Sequence, residues 1–408
     1  MNFINLKNDV YDSWNPTSWV NYNQSQLPNY EDTKALEKSI KFLKNAKHLV
    51  FESEISLLQS FISDAAKGKI FLLHAGDCAE TFESCTTSNV IKRVSHLKSL
   101  ATLLEKHLNI PVVIIGRIAG QYAKPRSHEL ETINNMQLPS YRGDIINDIK
   151  FCPIARQPNP ERLKIAYKNS STTLSWIKQH LQNEYLSFQN ARFFISHESL
   201  LLDYESSLTH RSYKNPKWYN YGAHYLWLGE RTRNLNSAHV EYLRGISNPI
   251  GIKLGPNTDP HEIIKLLPIL NPQNEPGKIN LITRIGANFT QQVLKNIILK
   301  VNQSHCHVTW SCDPMHGNSF YTPSGIKTRN FLEIWNELRE TYLIHKELQS
   351  NLAGIHLELT FDNVTECIGG NTKVTEESLP LNYTTFCDPR LNYYQSFELL
   401  EKFSQLGL

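Results

Sequence analysis

The chain lacks an excess of charge of either sign, and it lacks any long apolar run. Forty-two Lys and Arg residues balance 39 Asp and Glu residues among 408, which leaves a formal net charge of +3. Nucleic-acid binding usually needs a concentrated basic face, so we expect no nucleic-acid partner. No segment reaches the roughly 18 apolar residues of a membrane span, and the first residues, MNFINLKNDVYDSW, lack the apolar core of a signal peptide. These absences predict a cytoplasmic protein with no membrane partner.

Cysteine and glycine are also scarce. The seven cysteines lie between Cys78 and Cys387 without C-x-x-C spacing, which argues against a disulfide framework and against a zinc knuckle. Glycine accounts for 18 residues, below its average share of about 7%. Several glycines nevertheless follow apolar runs, namely Gly76, Gly116, Gly120, Gly229, Gly255 and Gly286. Glycine at such positions indicates sharp turns or a close approach to a ligand.

Eight short apolar runs recur from residue 69 onward and predict the fold. They are KIFLLHAG, PVVIIGRIAG, ARFFISHE, HYLWLGER, NPIGIKLG, KINLITRIG, HCHVTWSCD and GIHLELT. Continuous apolar runs are typical of parallel strands buried on both faces, and most of the spans between them are long enough for a helix. Eight such units favour an α/β protein with a closed (β/α)8 TIM barrel over residues 69–408.

Residues 1–68 predict an extended and helical N-terminal arm rather than a domain. Two segments in it, TKALEKSIKFLKNA and ESEISLLQSFISDAAKG, repeat apolar residues at helical spacing. We expect the arm to pack on the outside or bottom of the barrel, or on a partner subunit. Its aromatic residues Trp14, Trp19 and Tyr22 fit either packing on the same barrel or a contact in a homodimer or homotetramer.

The interval between the second and third apolar runs is the longest. It begins as a polar stretch and becomes helical near Pro160. We therefore predict a loop over the barrel mouth followed by the helix that belongs to this unit.

Four polar residues stand at the end of an apolar run or just past it: Cys78, His316, Glu358 and Asp388. The strands of a (β/α)8 barrel deliver functional side chains from their C-terminal ends to one mouth. Thiolate, imidazole and carboxylate donors together suit a borderline divalent ion such as Mn, Co, Fe or Zn. Taken singly, His316 could be a satisfied core histidine and Asp388 a helix cap. His356, two residues before Glu358, is a candidate supporting partner.

Basic residues also gather at the predicted strand ends. They are Arg117, Lys124 and Arg126 with the hydroxyl of Ser127 beside them, Arg231 next to Glu230, then Lys253 and Arg284. A cation within an apolar strand is costly to bury unpaired, and a bound anion would remove that cost. The alternative is a structural ion pair of Lys253 or Arg284 with an acid such as Glu230. Several cations at one mouth predict substrates that carry phosphate and carboxylate groups.

Longer motifs resemble a known family. HAGDCAETF, RIAGQYAKPRS, SYRGDIIN, SHESLLLDYE, WLGERTRNLNSAHVEYLRGISNPIGIKLGP, TWSCDPMHGNS, IHLELTFDNVTECIGG and CDPRLNYYQSFEL are together similar to the type II 3-deoxy-D-arabino-heptulosonate 7-phosphate (DAHP) synthases. The resemblance implies a (β/α)8 barrel with an N-terminal extension. It also implies a transferase that condenses phosphoenolpyruvate with erythrose 4-phosphate and releases phosphate, as the first step toward shikimate and aromatic compounds.

The resemblance assigns roles to individual residues. The metal ligands would be Cys78, His316, Glu358 and Asp388, with Mn²⁺ as the expected ion. The phosphoenolpyruvate site would use Arg126, Glu230, Arg231, Lys253 and Arg284. The aldose phosphate would be held by Arg117, Lys124 and Ser127. The expected catalytic residues are Lys253 and Glu230 as acid or base, with Cys78 and His316 acting through the metal.

The sequence departs from the family pattern in several places, and the strings RIGANF and FDNVTEC differ slightly from the usual ones. His74 and Ala75 replace the Gln and Gly that usually precede the ligand cysteine. The interval after SYRGDIIN is short, whereas long members carry an extra helical pair there that helps form effector sites for aromatic amino acids. The chain thus resembles the compact subgroup associated with phenazine or other secondary metabolism, and we expect weak or no feedback inhibition.

Three alternative functions stay open at this point. One is an amino-sugar version of the condensation in an aminoshikimate route, and another is a Schiff-base aldolase with Lys253 as the nucleophile. The third is a catalytically silent homologue with a regulatory role, for example as a partner of a chorismate mutase.

Because Cys387 adjoins Asp388 and so lies near Cys78, a reversible disulfide between the two cysteines is a further hypothesis.

Overall fold

The structure, a computed structural model, describes residues 14–133, 135–185 and 191–407. Its main feature is a set of eight parallel strands that coincide with the eight apolar runs. They are β1 Phe71–Gly76, β2 Val112–Arg117, β3 Phe193–Glu198, β4 Tyr225–Leu228, β5 Ile250–Leu254, β6 Ile279–Thr283, β7 Thr309–Cys312 and β8 Leu352–Glu358. Each strand pairs with the next along the chain, and β8 pairs with β1. The predicted closed barrel is confirmed.

Helices surround the barrel or precede it. They are α1 Thr33–Lys44, α2 Glu52–Ala66, α3 Thr87–Leu108, α4 Pro153–Arg156, α5 Glu161–Tyr185, α6 Leu202–Ser207, α7 Ala238–Arg244, α8 Pro260–Leu270, α9 Thr290–Gln303, α10 Phe331–Glu347 and α11 Tyr393–Ser404. Short 3₁₀ turns cover Ser18–Asn21, Glu230–Thr232, His316–Asn318 and Leu379–Asn382. Within the described residues, no helix is both long enough and apolar enough to cross a bilayer.

The register of the first strand brings distant residues to one level at the C-terminal rim. Gly76 lies opposite Glu358 of β8 on one side and opposite Arg117 of β2 on the other. Gly76 adopts a positive φ of 148°, and a Cβ atom there would lie 2.8 Å from the Arg117 carbonyl oxygen. Glycine therefore permits the chain to leave the barrel at this point, and Cys78 follows two residues later.

Helix α2 of the N-terminal arm closes the opposite end of the barrel. Leu58, Ile62 and Ala65 pack with residues that point into the barrel from the strands, including Leu72 and Phe194. The Ile62 carbonyl accepts a hydrogen bond from the Thr309 hydroxyl at the start of β7. Burial of each large apolar side chain contributes about 1.5–3 kcal/mol, so this helix completes the barrel core.

The first described residues of the arm, from Trp14 onward, pack on the same chain. Trp14 and Trp19 are buried, whereas Tyr22 is exposed. The Trp14 indole donates a hydrogen bond to the Glu241 carbonyl and meets the Trp218 ring edge to face at 5.8 Å between centroids. Both tryptophan side chains are thus buried within a single chain.

Three two-stranded hairpins were not predicted. They pair Leu130–Ile133 with Met136–Pro139, Thr209–Arg211 with Trp218–Asn220, and Ser319–Tyr321 with Lys327–Arg329. The first of them interrupts the stretch that we expected to be a loop over the barrel mouth. Its strands have four residues each and are mostly exposed, so they lack the apolar run on which the strand predictions were based.

Candidate active site

The C-terminal ends of the strands surround a cavity of about 860 Å³. Its wall contains every residue expected to bind a substrate: Arg117, Lys124, Arg126, Ser127, Glu230, Arg231, Lys253 and Arg284. His316 and Asp388 also line the cavity, while Cys78 and Glu358 lie beneath its surface at 1% and 0% exposure. Residues from widely separated segments therefore meet at one mouth.

The four predicted metal ligands lie together. One donor atom from each of Cys78, Glu358 and Asp388 lies within 4.8 Å of the other two. His316 Nε2 lies 3.0 Å from Glu358 Oε1 and 4.0 Å from Asp388 Oδ2. Atoms bound to one ion at about 2.0–2.3 Å lie at most twice that distance apart. The spacing of the Cys78, Glu358 and Asp388 donors is close to this limit, and His316 lies beside the two carboxylates. The mixed S, N and O donors suit a borderline divalent ion.

Lys124 places a positive charge within this donor cluster. Its Nζ lies 2.7 Å from Glu358 Oε1, 2.9 Å from Asp388 Oδ2 and 3.2 Å from His316 Nε2. Burial lowers the pKa of the ammonium, but the negative charges of Asp388 and Glu358 oppose burial, and that pKa is raised well above its usual value. The donor cluster therefore attracts a cation, which is the electrostatic property that a metal site requires.

Two buried arginines fix the Glu358 carboxylate. Arg117 Nη2 donates to Oε1 at 3.0 Å, and Arg329 Nη2 donates to Oε2 at 2.8 Å. Burial alone would raise the pKa of Glu358, but His316, Lys124 and the two arginines hold it well below its usual value. The carboxylate therefore stays ionised and oriented toward the cluster.

Comparison with known proteins establishes the family. The sequence profile of the Class-II DAHP synthetase family matches residues 14–192 and 180–404. The chain belongs to this family.

Curated relatives agree over nearly the whole length. The chain is 42% identical to the phospho-2-dehydro-3-deoxyheptonate aldolase of Neurospora crassa, over 95% of this chain and 92% of the relative. It is 38% identical to the enzyme of the same name from Streptomyces coelicolor, over 94% and 95%. The corresponding enzyme from Mycolicibacterium smegmatis is also 38% identical, over 92% and 90%.

In this Class-II chain, two basic residues at the barrel mouth form ion pairs with acidic residues. Lys253 forms a buried ion pair with Asp313, and Arg284 forms an ion pair with Glu230. The sequence had left ion pairing of Lys253 and Arg284 open as an alternative to anion binding. Lys253, Arg284 and Glu230 line the cavity, whereas Asp313 does not. Burial lowers the pKa of Lys253 to about 8, although Asp313 opposes this effect.

Asp313 orients the His316 imidazole. Its Oδ2 lies 2.7 Å from His316 Nδ1, and its Oδ1 accepts backbone N–H bonds from His316 and from Met315. A proton on Nδ1 leaves Nε2 as the free donor atom, directed at Glu358 and Lys124. Carboxylates commonly set the tautomer of a ligand histidine in this way.

A second group of residues lies nearer the outer rim. Arg231 Nη2 donates to the Ser127 hydroxyl at 2.6 Å. Arg126 lies 3.7 Å from Glu131, a residue of the first hairpin. The resemblance assigned Ser127 and Arg231 to different substrates, and their contact places the two assigned sites side by side.

Most hydrogen bonds of Arg117 are made to residues of the donor cluster and its loop. Arg117 is 2% exposed and donates to the Asp77 and Cys78 carbonyls as well as to Glu358. Its Nη1 contacts His356 Nε2 at 2.6 Å. His356, the candidate supporting partner, therefore contacts Arg117, and its ring centroid lies 6.4 Å from that of His316.

Sequence reasoning missed four residues of the site. They are Asp313, Arg329, Lys327 and Glu198. Asp313 carries a usable signal, because it stands three residues before His316 in the motif DPMH. Glu198 ends β3 and lines the cavity, and burial raises its pKa although nearby lysines oppose that effect. Arg329 and Lys327 lie in the third hairpin, which no apolar run predicted.

Cys78 and Cys387 lie close together, as expected from the position of Cys387 next to Asp388. Cys78 and Cys387 are both free thiols and contact each other through their side chains. Burial, followed by the contact with Cys387 and the charge of Glu358, raises the pKa of Cys78 well above its usual value. A bound metal ion would be needed to make Cys78 a thiolate. The disulfide stays a prediction.

Proposed function

We propose that this chain catalyses the metal-dependent, aldol-type condensation of phosphoenolpyruvate with D-erythrose 4-phosphate and water, which yields DAHP and inorganic phosphate. This reaction is the first step of the shikimate pathway. The observation that carries the proposal is the placement of the Cys78, Glu358 and Asp388 donors directly beside a cavity walled by cations. Membership of the Class-II DAHP synthetase family supports the same reaction.

The donor cluster would hold one divalent ion through Cys78, His316, Glu358 and Asp388. We favour Mn²⁺, with Co²⁺, Fe²⁺ and Zn²⁺ as alternatives that suit the same mixed donors. When bound, the ion supplies Lewis-acid activation of the erythrose 4-phosphate aldehyde. The protein keeps the carboxylates ionised and oriented through Arg117, Arg329 and Lys327.

The cationic wall would bind both substrates and overcome their mutual repulsion. Lys253, Arg284, Arg231 and Arg126 supply the positive charge for the carboxylate and phosphate of phosphoenolpyruvate, together with Glu230 as a neighbouring acceptor. We assign the aldose phosphate to Arg117, Lys124 and Ser127, which line the same cavity. Holding two anions in adjacent positions converts a bimolecular encounter into a close approach of the reacting carbons.

The bond changes balance with one water molecule. Carbon 3 of phosphoenolpyruvate attacks the aldehyde carbon, and the aldehyde oxygen gains a proton. Water adds to carbon 2, and the resulting hemiketal phosphate releases inorganic phosphate. We assign proton transfer to Lys253 and Glu230, since both line the cavity and the pKa of Lys253, about 8, is close to physiological pH.

Phosphate release tests the proposal. The purified protein should release phosphate from phosphoenolpyruvate only when erythrose 4-phosphate is present, should lose this activity after treatment with a chelator, and should regain it with Mn²⁺. Cys78→Ala should lose both bound metal and activity. Cys306→Ala is the matched control, because Cys306 contacts only Ser304 in its hydrogen bonds and lies before β7, away from the mouth. Normal metal content and rate in Cys78→Ala would contradict the ligand set.

The same preparation separates the alternatives. An amino-sugar analogue that reacts faster than erythrose 4-phosphate would favour the aminoshikimate version. Trapping of substrate on Lys253 by borohydride, with full activity in chelator, would favour a Schiff-base aldolase. No phosphate release with any of these metals would favour the regulatory homologue.

The biological setting is also part of the proposal. Within the described part of the interval between β2 and β3, the long helix is α5 and the short one is α4, which fits a compact member with weak or no feedback inhibition and a role in secondary metabolism. We propose a homodimer or homotetramer in the cytoplasm, with a chorismate mutase as a candidate partner. The free cysteines fit a reducing compartment.

A further inference from the structure

The structure assigns to Glu337 a positioning role: its buried carboxylate joins the loop that carries Arg284 to the turn that carries His316, and so couples the anion site to the metal site. This inference rests on the proposed function, because it names a residue that sets the geometry of that reaction without touching a substrate. Glu337 lies in α10, on the outer layer of the barrel, and is 1% exposed.

Each oxygen of the carboxylate binds a different loop. Oε1 accepts the backbone N–H groups of Ile285 and Gly286, at 2.7 and 2.9 Å, directly after Arg284. Oε2 accepts the side-chain amide of Asn318, at 2.7 Å, two residues after His316. One rigid group on a helix therefore fixes the positions of both loops.

The two loops are also in direct contact. The Asn318 Oδ1 atom accepts the Ala287 N–H at 3.0 Å, and Arg284 Nη2 donates to the His316 carbonyl at 2.8 Å. A Cβ atom on Gly317 would lie 2.3 Å from the Gly286 nitrogen, so the backbones approach too closely for any side chain at residue 317. A shift of either loop must therefore move the other.

Neutral amide donors surround the Glu337 carboxyl group. Among the described residues, the hydrogen-bond donors to Glu337 are two backbone amides and one side-chain amide, with no lysine or arginine in ion-pair contact. Three donors converge on the two carboxyl oxygens. Burial raises the pKa of Glu337 to about 8, although the N–H groups of Gly286 and Ile285 oppose this effect. A glutamine keeps one oxygen but turns its amide hydrogens toward Asn318, so it should loosen the turn that carries His316.

Glu337→Gln and Asn318→Ala test the coupling. We expect each to weaken Mn²⁺ binding about ten- to hundredfold, as for other groups that orient metal ligands, measured by equilibrium dialysis without substrate. We also expect the KM for phosphoenolpyruvate to rise about tenfold, the effect of roughly one lost hydrogen bond to a charged group, while the KM for erythrose 4-phosphate changes less than about twofold. Glu347→Gln, an exposed residue of the same helix paired with Lys295, is the control and should match the unmodified chain.

The double variant adds a second criterion. If Glu337 and Asn318 act as one unit, the combined loss in Mn²⁺ affinity should be smaller than the sum of the two single losses in free energy. A lower melting temperature with unchanged Mn²⁺ affinity and unchanged KM for phosphoenolpyruvate would overturn the inference and leave Glu337 a purely structural residue. If the Glu337 variant fails to fold, Asn318→Ala still tests the coupling between the two loops. If the unmodified chain binds Mn²⁺ but releases no phosphate, the proposed function fails while the effect on metal affinity can still be read.

Discussion

At the scale of single residues, the site depends on charges that are buried together. Glu358 and Asp388 stay ionised because Lys124, Arg329 and Lys327 surround them. Removal of one member of such a group leaves its partners buried without compensation, which costs more than the pair itself contributes. The supporting residues should therefore matter nearly as much as the ligands.

Lys253 provides a pH-dependent test at this scale. Burial lowers its pKa to about 8, so it carries its positive charge below that pH and loses it above. Because the proposed substrate is anionic, we expect kcat/KM for phosphoenolpyruvate to fall by about tenfold per pH unit above pH 8. Initial rates across this range measure the effect. Lys253→Arg should keep its charge and show no such fall, even if its rate is lower, and an identical fall in both proteins would exclude Lys253 as the cause.

Asp313→Asn tests how the His316 imidazole is oriented. The amide cannot stabilise the Nδ1 proton as a carboxylate does, and it removes the negative partner of Lys253. We expect Mn²⁺ affinity to drop about ten- to hundredfold, measured by equilibrium dialysis. Asp259→Asn is the matched control, since Asp259 is an exposed N-cap of α8 and asparagine caps helices equally well. Equal metal affinity in Asp313→Asn and the unmodified chain would argue against this role.

At the scale of elements, α2 and the described residues before α1 pack against the rest of the chain. Helix α2 covers the barrel interior at its N-terminal end, and Trp14 packs beside α7 through its hydrogen bond to Glu241. The helical spacing of α1 and α2 was readable from sequence, but their partners were not. Which face of the barrel a helix covers depends on contacts between residues more than 200 positions apart, such as Thr309 with Ile62.

Gly245→Ala tests the anchoring of the arm. A Cβ atom at residue 245 would lie 2.0 Å from the Trp14 ring, so overpacking should cost about 1–3 kcal/mol of unfolding free energy. Urea denaturation of the variant measures the loss. In a Trp14→Ala background the same substitution should cost much less, because the clash is gone. Equal costs in both backgrounds would show that Trp14 does not pack on Gly245.

At the scale of the whole molecule, the length of the chain between β2 and β3 bears on regulation. The described part of this interval contains a hairpin, the short α4 and the long α5. The resemblance noted from the sequence implies that long members carry an additional helical pair there, and we proposed that this chain is a compact member. The first hairpin lies beside the barrel mouth, where its Glu131 contacts Arg126.

We therefore expect phosphate release to change less than about twofold, within the error of a typical affinity comparison, when phenylalanine, tyrosine and tryptophan are added singly or together. The assay is the phosphate-release measurement described above, at subsaturating phosphoenolpyruvate. The same preparation without amino acids is its control. Inhibition by any of the three at concentrations that leave the fold intact would contradict the assignment to a weakly regulated member.

The sequence by itself determined the eight-stranded barrel and the residues at its mouth. Buried parallel strands require continuous apolar runs, and polar residues that interrupt such runs at their ends, among them Cys78, Lys253 and Glu358, stand out locally. The tertiary structure alone decided the supporting contacts of Arg329 and Glu337, because these side chains lie on a hairpin and an outer helix where no short-range pattern marks them. Their positions follow from the register of strands and the packing of loops over hundreds of residues, which a local reading of the chain does not contain.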